Sequence, residues 1–411
     1  MAVAGIPVDF ILFALTLLGV ALFHHHTLAV ALTGLAMIAA FKLAFGDFAG
    51  VAGIEGLAAL LAHEWVTLAN LLGLLLGFAL LADHFEHSGL PGLLPRYLPD
   101  GWQGGFCLLL LVFVISSFLD NIAAAMIGGS MAGVLYRKRI HIGFLAAIVA
   151  ASNAGGSGSV VGDTTTTMMW IAGVRPGQVF EAYVAASAAM LVFGILAARQ
   201  QHALQPIMKD NPADAFFDGS RLAIVVLILL AAISANVLFN LTAPAVLGRL
   251  PVMGLAVWVA ILATARWRRP GWSLLPAALR GSVFLLALVL CAAMMPVQHL
   301  PPPSWQSAFG LGFVSAVFDN IPLTALALRQ GGYDWGFLAY AVGFGGSMIW
   351  FGSSAGVALA TMYPEARSVG AWLKGGWHVA VAYVIGFFVL LALLGWHPDP
   401  APSFAPPSST P

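Results

Sequence analysis

Residues 116–122 read SSFLDNI, and residues 315–321 read SAVFDNI, 199 positions further along the chain. Each copy lies inside a long apolar stretch and places an Asp-Asn pair there, Asp120-Asn121 and Asp319-Asn320. A carboxylate at membrane depth is costly unless it is paired, solvated or protonated, so such a residue is a functional candidate. The repeated pair predicts that each stretch is a hairpin entering a membrane, with Asp-Asn near its tip.

Two further matches follow in the same order. Residues 143–149 (GFLAAIV) match 336–342 (GFLAYAV) at an offset of 193, and residues 155–162 (GGSGSVVG) match 345–352 (GGSMIWFG) at an offset of 190. Three ordered matches with a drifting offset indicate one duplicated unit with small deletions.

The composition indicates a membrane protein. The 411 residues are 60% hydrophobic and only 8% charged, whereas soluble domains carry about 25% charged residues. The chain also has many apolar runs near the length of about 20 residues that spans a bilayer. A formal net charge of zero gives no indication of a nucleic-acid partner. Membrane lipid is the expected surrounding, and the predicted fold is an all-α polytopic membrane protein.

The apolar pattern predicts ordinary spans and two kinds of irregular segment. Hairpins are predicted at Gly105–Tyr136 and Trp305–Leu328, and spans interrupted by Gly and Ser at His141–Val174 and Trp335–Tyr363. Irregular backbone at membrane depth is tolerated where it is buried in protein or lines a cavity. The ordinary spans are predicted at Ile6–Phe23, Thr27–Phe45, Trp65–Asp83, Val179–Ala198, Leu222–Phe239, Ala243–Ala265, Ser282–Leu300 and Ala371–Trp396.

The basic residues predict the orientation. With each hairpin re-entrant and each broken span crossing once, 13 Lys and Arg residues share one side and 4 the other. The positive-inside rule makes the rich side cytoplasmic, which places both termini outside a bacterial inner membrane. Five crossings per half is an odd number, so the two halves are inverted. The predicted division is 1–205 first repeat, 206–220 cytoplasmic linker, 221–396 second repeat and 397–411 disordered tail. Inverted repeats with broken helices are typical of secondary transporters.

The first broken span predicts oxygen ligands. Residues 152–170 read SNAGGSGSVVGDTTTTMMW, and glycines at 155, 156 and 158 permit an unwound backbone. Unwinding frees carbonyls that can coordinate a small cation. Asp163 and the Thr164–Thr167 run add oxygen atoms suited to a hard cation. Two roles stay open for Asp163, as for Asp120 and Asp319: binding an ion, or capping the following helix.

The second broken span repeats the glycines and hydroxyls but not the acid. Residues 343–356 read GFGGSMIWFGSSAG, which puts Ser353 where the first half has Asp163. The predicted site therefore has three carboxylates, Asp120, Asp163 and Asp319, that bind sodium transiently. No tightly bound metal and no cofactor are expected beyond sodium and protons as coupling ions. Every Lys and Arg falls near a predicted interface.

At these residues the chain resembles a known family. NAGGSGSVVGDTTTTMMWI (153–171), FDNIPLTA (318–325) and GFGGSMIWFGSSAGVA (343–358) are similar to signatures of NhaD-type sodium/proton antiporters. More broadly, the chain resembles the ion transporter superfamily. The resemblance implies a homodimer, a scaffold domain and a mobile transport domain that moves like an elevator. The site residues it implies, together with Ser157 from the same motif, are Asp120, Asn121, Asn153, Gly155, Gly156, Asp163, Thr164, Thr165, Asp319, Asn320, Gly345, Gly346, Ser347, Ser353 and Ser354.

The chain departs from this pattern at two places. Ile122–Ala125 stands where the antiporters tend to have a Thr run, and Val160-Val161 where they tend to have Ser-Pro. Both changes remove polar or shaping groups near the proposed ion.

Three functions stay open. The leading hypothesis is sodium or lithium antiport against protons, by alternating access through a midplane carboxylate site. The alternative is sodium- or proton-coupled symport of a small organic anion, a di- or tricarboxylate of the citrate type. Residues 152–154 (Ser-Asn-Ala) are near the Ser-Asn-Thr of such symporters. A remote alternative is an intramembrane aspartyl protease, but Val160 replaces the first Gly of its Gly-x-Gly-Asp motif. The expectation is a transporter, not an enzyme.

Overall fold

The computed structural model describes residues 2–3, 6–23, 26–48, 50–93, 97–208, 217–247 and 249–399. Helices dominate these ranges. The strands are a single antiparallel pair of two residues each, β1 (Ala2–Val3) and β2 (Ile6–Pro7). The all-helical fold predicted from the composition is confirmed for this part of the chain.

The helices of the first half, in chain order, are α1 (Val8–Leu22), α2 (Thr27–Phe45), α3 (Gly53–Glu86), α4 (Leu90–Leu93), α5 (Trp102–Ser116), α6 (Asn121–Leu135), α7 (Ile142–Ser157), α8 (Thr164–Ile171), α9 (Pro176–Phe180) and α10 (Ala182–Leu204). Those of the second half are α11 (Gly219–Thr242), α12 (Pro244–Leu247), α13 (Val252–Thr264), α14 (Leu275–Ala293), α15 (Trp305–Ser315), α16 (Asn320–Gln330), α17 (Trp335–Gly345), α18 (Ser354–Met362), α19 (Val369–Gly375) and α20 (Trp377–Leu394).

Six helices in the described part of the chain are long and apolar enough to cross a membrane. They are the segments Thr27–Phe45, Gly53–Glu86, Pro176–Leu204, Gly219–Phe239, Trp272–Ala293 and Trp377–Leu394. Shorter apolar helices, α5, α6 and α7 among them, lie between these segments. The pattern is that of a multi-pass membrane protein.

Four predicted spans need correction. The span predicted at Ser282–Leu300 is α14, which begins earlier, at Leu275, and ends at Ala293, before Pro296. The span predicted at Ala371–Trp396 is divided at Gly376 between α19 and α20.

The other two corrections concern α3 and the segment around Pro251. The span predicted at Trp65–Asp83 is part of a longer helix, which begins at Gly53. Glu55 and His63 interrupt the apolar pattern of its first half, but their side chains are exposed and the helix continues through them. The span predicted at Ala243–Ala265 is two helices, α12 and α13, separated before Val252 by Pro251. Proline has no backbone N–H and ends or interrupts a helix.

Each predicted hairpin consists of two helices joined by a four-residue turn, α5 with α6 and α15 with α16. The first arm of each hairpin packs on the first half of a broken helix. Ser116 Oγ donates to Ser152 O at 2.6 Å, and Ser315 Oγ donates to Val342 O at 2.7 Å. These pairs are related by offsets of 199 and 190, the same offsets as the sequence matches. The duplicated sequence therefore makes duplicated contacts.

A polar cluster joins α3, α11 and the segment after α13 at one end of the molecule. Arg268 Nε donates to Asp218 Oδ2 at 2.7 Å, and Asp83 Oδ2 accepts from the backbone N–H of Gly271 at 3.0 Å. The guanidinium of Arg268 holds the pKa of the Asp218 carboxyl below its usual value. Arg268 lies among the basic residues predicted to share one side.

The predicted linker 206–220 and tail 397–411 lie partly outside the described residues. Met208 N donates to Leu135 O at 2.8 Å, so the described start of the linker is attached to α6. His397 N donates to Asp334 Oδ2 at 2.8 Å, and Asp399 N donates to Tyr333 O at 3.1 Å. The first residues of the predicted disordered tail are thus ordered against the start of α17. The boundaries of the two repeats remain predictions.

Candidate functional site

The two Asp-Asn pairs lie at the hairpin turns, and both aspartates cap the second arm. Asp120 Oδ2 accepts from Ile122 N at 3.1 Å, and Asp319 Oδ1 accepts from Ile321 N at 3.0 Å. Their backbone angles are almost identical, with φ of −51° and −52°. The capping role is therefore present at both tips. It leaves a carboxylate oxygen at each tip for other partners, and at Asp319 that oxygen accepts from Ser354 Oγ at 3.1 Å.

The first broken helix is interrupted between Ser157 and Thr164, and Asp163 begins its second part. Asp163 is 2% exposed. Its Oδ1 accepts from Thr165 N at 3.3 Å, and its Oδ2 accepts from Thr165 Oγ1 at 2.9 Å. In the second broken helix, Ser353 caps α18 by accepting from Gly356 N at 3.3 Å. Asp163 and Ser353 thus have the same place in the fold, but only the first bears a charge.

The sequence predicts that the hydroxyls of Thr164–Thr167 are ligands, but in the structure two of them bond to backbone carbonyls. Thr166 Oγ1 donates to Ser159 O at 2.5 Å, and Thr167 Oγ1 donates to Val160 O at 3.0 Å. Two of the four hydroxyls therefore satisfy carbonyls of the unwound segment. A buried carbonyl without a partner is costly, so these bonds stabilise the break.

Side-chain amides near the first helix break connect the two halves of the chain. Asn121 Nδ2 donates to Asn153 Oδ1 at 3.0 Å, and Asn153 Nδ2 donates to Ser347 Oγ at 2.9 Å. From the other hairpin, Asn320 Nδ2 donates to Asp163 Oδ2 at 3.4 Å. These residues are at most 5% exposed, so the structure brings predicted site residues from both halves into two buried polar contacts, each of which connects the halves.

A small cavity lies between the first break and α3. It offers about 10 Å³ to the centre of a water-sized sphere, which is room for about one water molecule. Asp120 and Asp163 both line it, and one wall is an apolar face of α3. The complete lining is Leu71, Leu74, Leu75, Phe78, Asp120, Val161, Asp163, Thr164 and Thr167.

The convergence of three carboxylates is only partly found. Asp120 and Asp163 share the cavity, whereas Asp319 does not line it and pairs with Ser354 instead. Asp163 is still close enough to both neighbours for charge repulsion. Ser157 Oγ donates to Ala154 O within its own helix and lies outside the lining. Among the described residues, His, Cys, Asp and Glu form no group of three that could hold a metal ion.

The predicted site glycines lie at helix crossings. A Cβ on Gly155 would overlap the Phe113 carbonyl of α5, and one on Gly345 would overlap the Gly312 carbonyl of α15. Gly156 and Gly346 face the turns before Asp163 and Ser353 in the same way. These glycines let the hairpins and broken helices approach closely, and none of them lines the cavity.

The sequence did not indicate the α3 wall as part of the site. The wall consists of Leu and Phe residues that look like any apolar span. Asn70 Oδ1 accepts from Gly254 N at 3.0 Å, and Trp258 Nε1 donates to Gly73 O at 3.0 Å. The amide at position 70, one residue before the wall, was the available signal that this part of α3 is fixed against α13.

No family model matches the chain. Among curated proteins it is similar to sodium/proton antiporter 1 of Arabidopsis thaliana, with 27% identity over 303 residues, covering 64% of this chain and 50% of that protein. Sodium/proton antiporter 2 of the same plant is 26% identical, with 64% of this chain and 69% of that protein covered. The Na(+)/H(+) antiporter NhaD of Vibrio parahaemolyticus is 26% identical, with 63% and 72% covered. The alignment thus spans half the length of the first of these proteins. The resemblance predicted from the motifs is confirmed.

Proposed function

We propose that this protein is a secondary transporter that exchanges sodium or lithium for protons through the cavity between Asp120 and Asp163. The observation that supports it most is that two carboxylates line one water-sized space at the end of a broken helix. A hard cation prefers oxygen ligands, and Thr164 of the lining adds a hydroxyl residue beside the two carboxylates.

The chemistry of exchange follows from the burial of the Asp163 carboxylate. A buried carboxylate needs either a proton or a cation to avoid the cost of an uncompensated charge. In the structure, Thr165 and Asn320 donate to Asp163, which lessens that cost without removing the charge. A proton and a sodium ion therefore compete for the same oxygens, and the loss of one favours binding of the other.

Alternating access needs a boundary that can separate from the site. The α3 wall is attached to α13 through Asn70 and Trp258, whereas Asp120 and Asp163 lie on a hairpin and a broken helix. We assign α3 to a scaffold and the hairpins with the broken helices to a moving unit. The repeated Ser116 and Ser315 contacts support two related halves, which we propose to be inverted.

The organic-anion alternative has less support. Two carboxylates in the lining of the cavity would repel a dicarboxylate. The Ser-Asn-Ala resemblance at 152–154 is accounted for by Asn153, which bonds to Asn121 and Ser347. We also propose that the protein lies in a bacterial inner membrane with both termini outside, and that it forms a homodimer.

The test is exchange in everted membrane vesicles, followed as sodium- or lithium-induced dissipation of a pH gradient. Asp163→Asn should abolish exchange while the purified protein elutes and melts as a folded species. Asp47→Asn is the matched control, because Asp47 is exposed in the loop after α2 and its partner, Gly50 N, can also bond to an amide. Exchange by Asp163→Asn at the wild-type rate would refute the site.

A second assay separates the two transport classes. Proteoliposomes are loaded and assayed with sodium, lithium, succinate and citrate, each with and without a pH gradient. Antiport predicts cation flux that needs the gradient and no carboxylate uptake. Sodium-dependent uptake of succinate or citrate would favour the symporter instead.

A further inference from the structure

Each hairpin tip has an asparagine at the same position, but the two asparagine side chains donate hydrogen bonds to different kinds of partner. Asn121 and Asn320 are 199 positions apart, the offset of the duplicated tips. Asn121 Nδ2 donates to the neutral Asn153 Oδ1 at 3.0 Å, whereas Asn320 Nδ2 donates to the carboxylate of Asp163 at 3.4 Å. Equivalent donors therefore meet an amide in one place and a titratable acid in the other.

The position equivalent to Asn153 explains this difference. It is Gly343, 190 residues further on. A Cβ on Gly343 would lie 3.2 Å from Ser157 Cβ, tighter than side chains normally pack, and 3.4 Å from Asp163 Oδ2, in ordinary van der Waals contact. Ser157 and the Asp163 carboxylate thus bound the space beside α17 into which a side chain at 343 would extend. In the other half Asn153 has its side chain, which spans from Asn121 to Ser347.

We infer that ion exchange is confined to one of these two nodes, the charged node of Asn320, Asp163 and Gly343. The neutral node, Asn121 with Asn153 and Ser347, is a fixed joint between the halves. The inference rests on the proposed antiport function and deepens it. It separates Asn320, a site residue that the resemblance implies, from its counterpart Asn121, and it adds a positioning residue, Gly343, that reaches the ion only through Asp163.

The physical reason is that the neutral node has nothing to exchange. The Asn153 amide is fully buried, and both its oxygen and its nitrogen are already bonded. An amide also cannot be charged by losing a proton, so it gains little from a cation. Asp163, in contrast, must be neutralised, and Asn320 can serve both states. Its NH2 donates to the bare carboxylate, and its oxygen can turn towards a bound cation.

Gly343 sets the position of the carboxylate. A methyl group there would lie 3.2 Å from Ser157 Cβ, so Ser157 or the α17 backbone must move by a few tenths of an ångström, and the same methyl group would be in contact with the Asp163 carboxylate. The Asn320 bond, at 3.4 Å, is at the long end of hydrogen bonding and would be lost first. The charged node therefore favours glycine at position 343, whereas the equivalent position in the neutral node is Asn153.

The first test is Gly343→Ala assayed for sodium-dependent exchange in proteoliposomes. The KM for sodium should rise about tenfold, which corresponds to about 1.4 kcal/mol, with a smaller change in kcat. Gly310→Ala is the matched control, since nothing lies within 4 Å of a Cβ there, and its KM should equal that of the wild type. An unchanged KM in Gly343→Ala would overturn the inference.

The second test compares the two amides and does not depend on the folding of Gly343→Ala. Asn320→Ala should raise the KM for sodium at least fivefold more than Asn121→Ala, on the order expected for a bond to a charged group. Stabilisation of the purified protein against heat by sodium gives an independent readout, and its half-maximal concentration should rise in Asn320→Ala. Equal KM shifts in the two variants would refute the assignment of separate nodes. If the wild type itself shows no cation exchange, the proposed function fails instead.

Discussion

The close approach between hairpins and broken helices gives a prediction for Gly155→Ala. The new Cβ would overlap the Phe113 carbonyl oxygen and lie 2.8 Å from the carbonyl carbon and 3.0 Å from Cα of the same residue. Carbon atoms pack at about 3.5–4.0 Å. The carbonyl oxygen would lie closer still to the new Cβ, so the two backbones must separate by roughly 1 Å or more. No side chain can rotate to relieve the overlap, because the atoms that clash belong to backbone.

The expected cost follows from overpacking of a buried contact, about 1–3 kcal/mol. A helical Gly→Ala change without a clash gains up to about 1 kcal/mol in helix propensity. Gly310→Ala is such a change, since it lies within α15 and nothing is within 4 Å of its Cβ. Gly155 lies within α7, so the propensity gain is common to both variants, and Gly155→Ala should be about 1–3 kcal/mol less stable than Gly310→Ala.

Thermal unfolding in detergent measures the difference. At about 2 °C per kcal/mol, the lower end for large domains, the two variants should melt at least about 2 °C apart. Gly345→Ala serves as an internal replicate, because its Cβ would lie 2.7 Å from Gly312 Cα in the equivalent crossing. Melting of Gly155→Ala within about 1 °C of Gly310→Ala would refute the view that this crossing requires glycine.

Three further predictions concern contacts away from the cavity. Arg329 Nη1 lies 3.3 Å from Glu64 Oε1, and both side chains are at most 25% exposed. Loss of an exposed ion pair costs about 0–1 kcal/mol, and loss of one partner of a buried pair costs about 3–5 kcal/mol. Arg329→Gln should lower the free energy of unfolding by an amount between these two ranges. Adding Glu64→Gln should restore part of the loss, and a simple sum of the two losses would contradict a direct pair. Asp218→Asn should lower the melting temperature at neutral pH, and the difference from wild type should vanish as pH falls through the lowered pKa of Asp218, where protonation removes the bond to Arg268. Tyr363→Phe should cost about 0.5–1.5 kcal/mol in the same melting assay, since its hydroxyl donates to an α6 carbonyl at 2.7 Å, and a melting temperature equal to that of wild type would contradict this.

Much of the architecture was predictable because it depends on features that the sequence shows directly. Apolar runs gave the long helices, and the Asp-Asn pairs located both hairpin turns, since Asp caps a helix that begins at the next residue. The Gly-Ser runs located both helix breaks. The long start of α3 was missed because Glu55, His63 and Glu64 interrupt the apolar pattern without interrupting the helix.

The arrangement of the site was less predictable, because it depends on which backbone segments cross. Thr166 and Thr167 look like ligands in a row of four threonines, yet their hydroxyls are used by carbonyls seven residues earlier. Gly343 looks like one glycine among several, and its role depends on the proximity of Asp163, 180 residues away in the sequence. Contacts of this range are set by tertiary packing, which local patterns do not encode.

The unequal halves bear on how one duplicated unit can yield an exchanger with a defined direction of coupling. Both tips retain a carboxylate, but only the first break has one, at Asp163, while Ser353 caps the second. An acid at position 353 would be a second buried charge that needs its own proton or cation. Ser353 caps the second break without that charge, and Asn153 adds hydrogen bonds that connect the halves. Under the proposed exchange, the proton and the cation therefore compete at the first break, where Asp163 shares its cavity with Asp120.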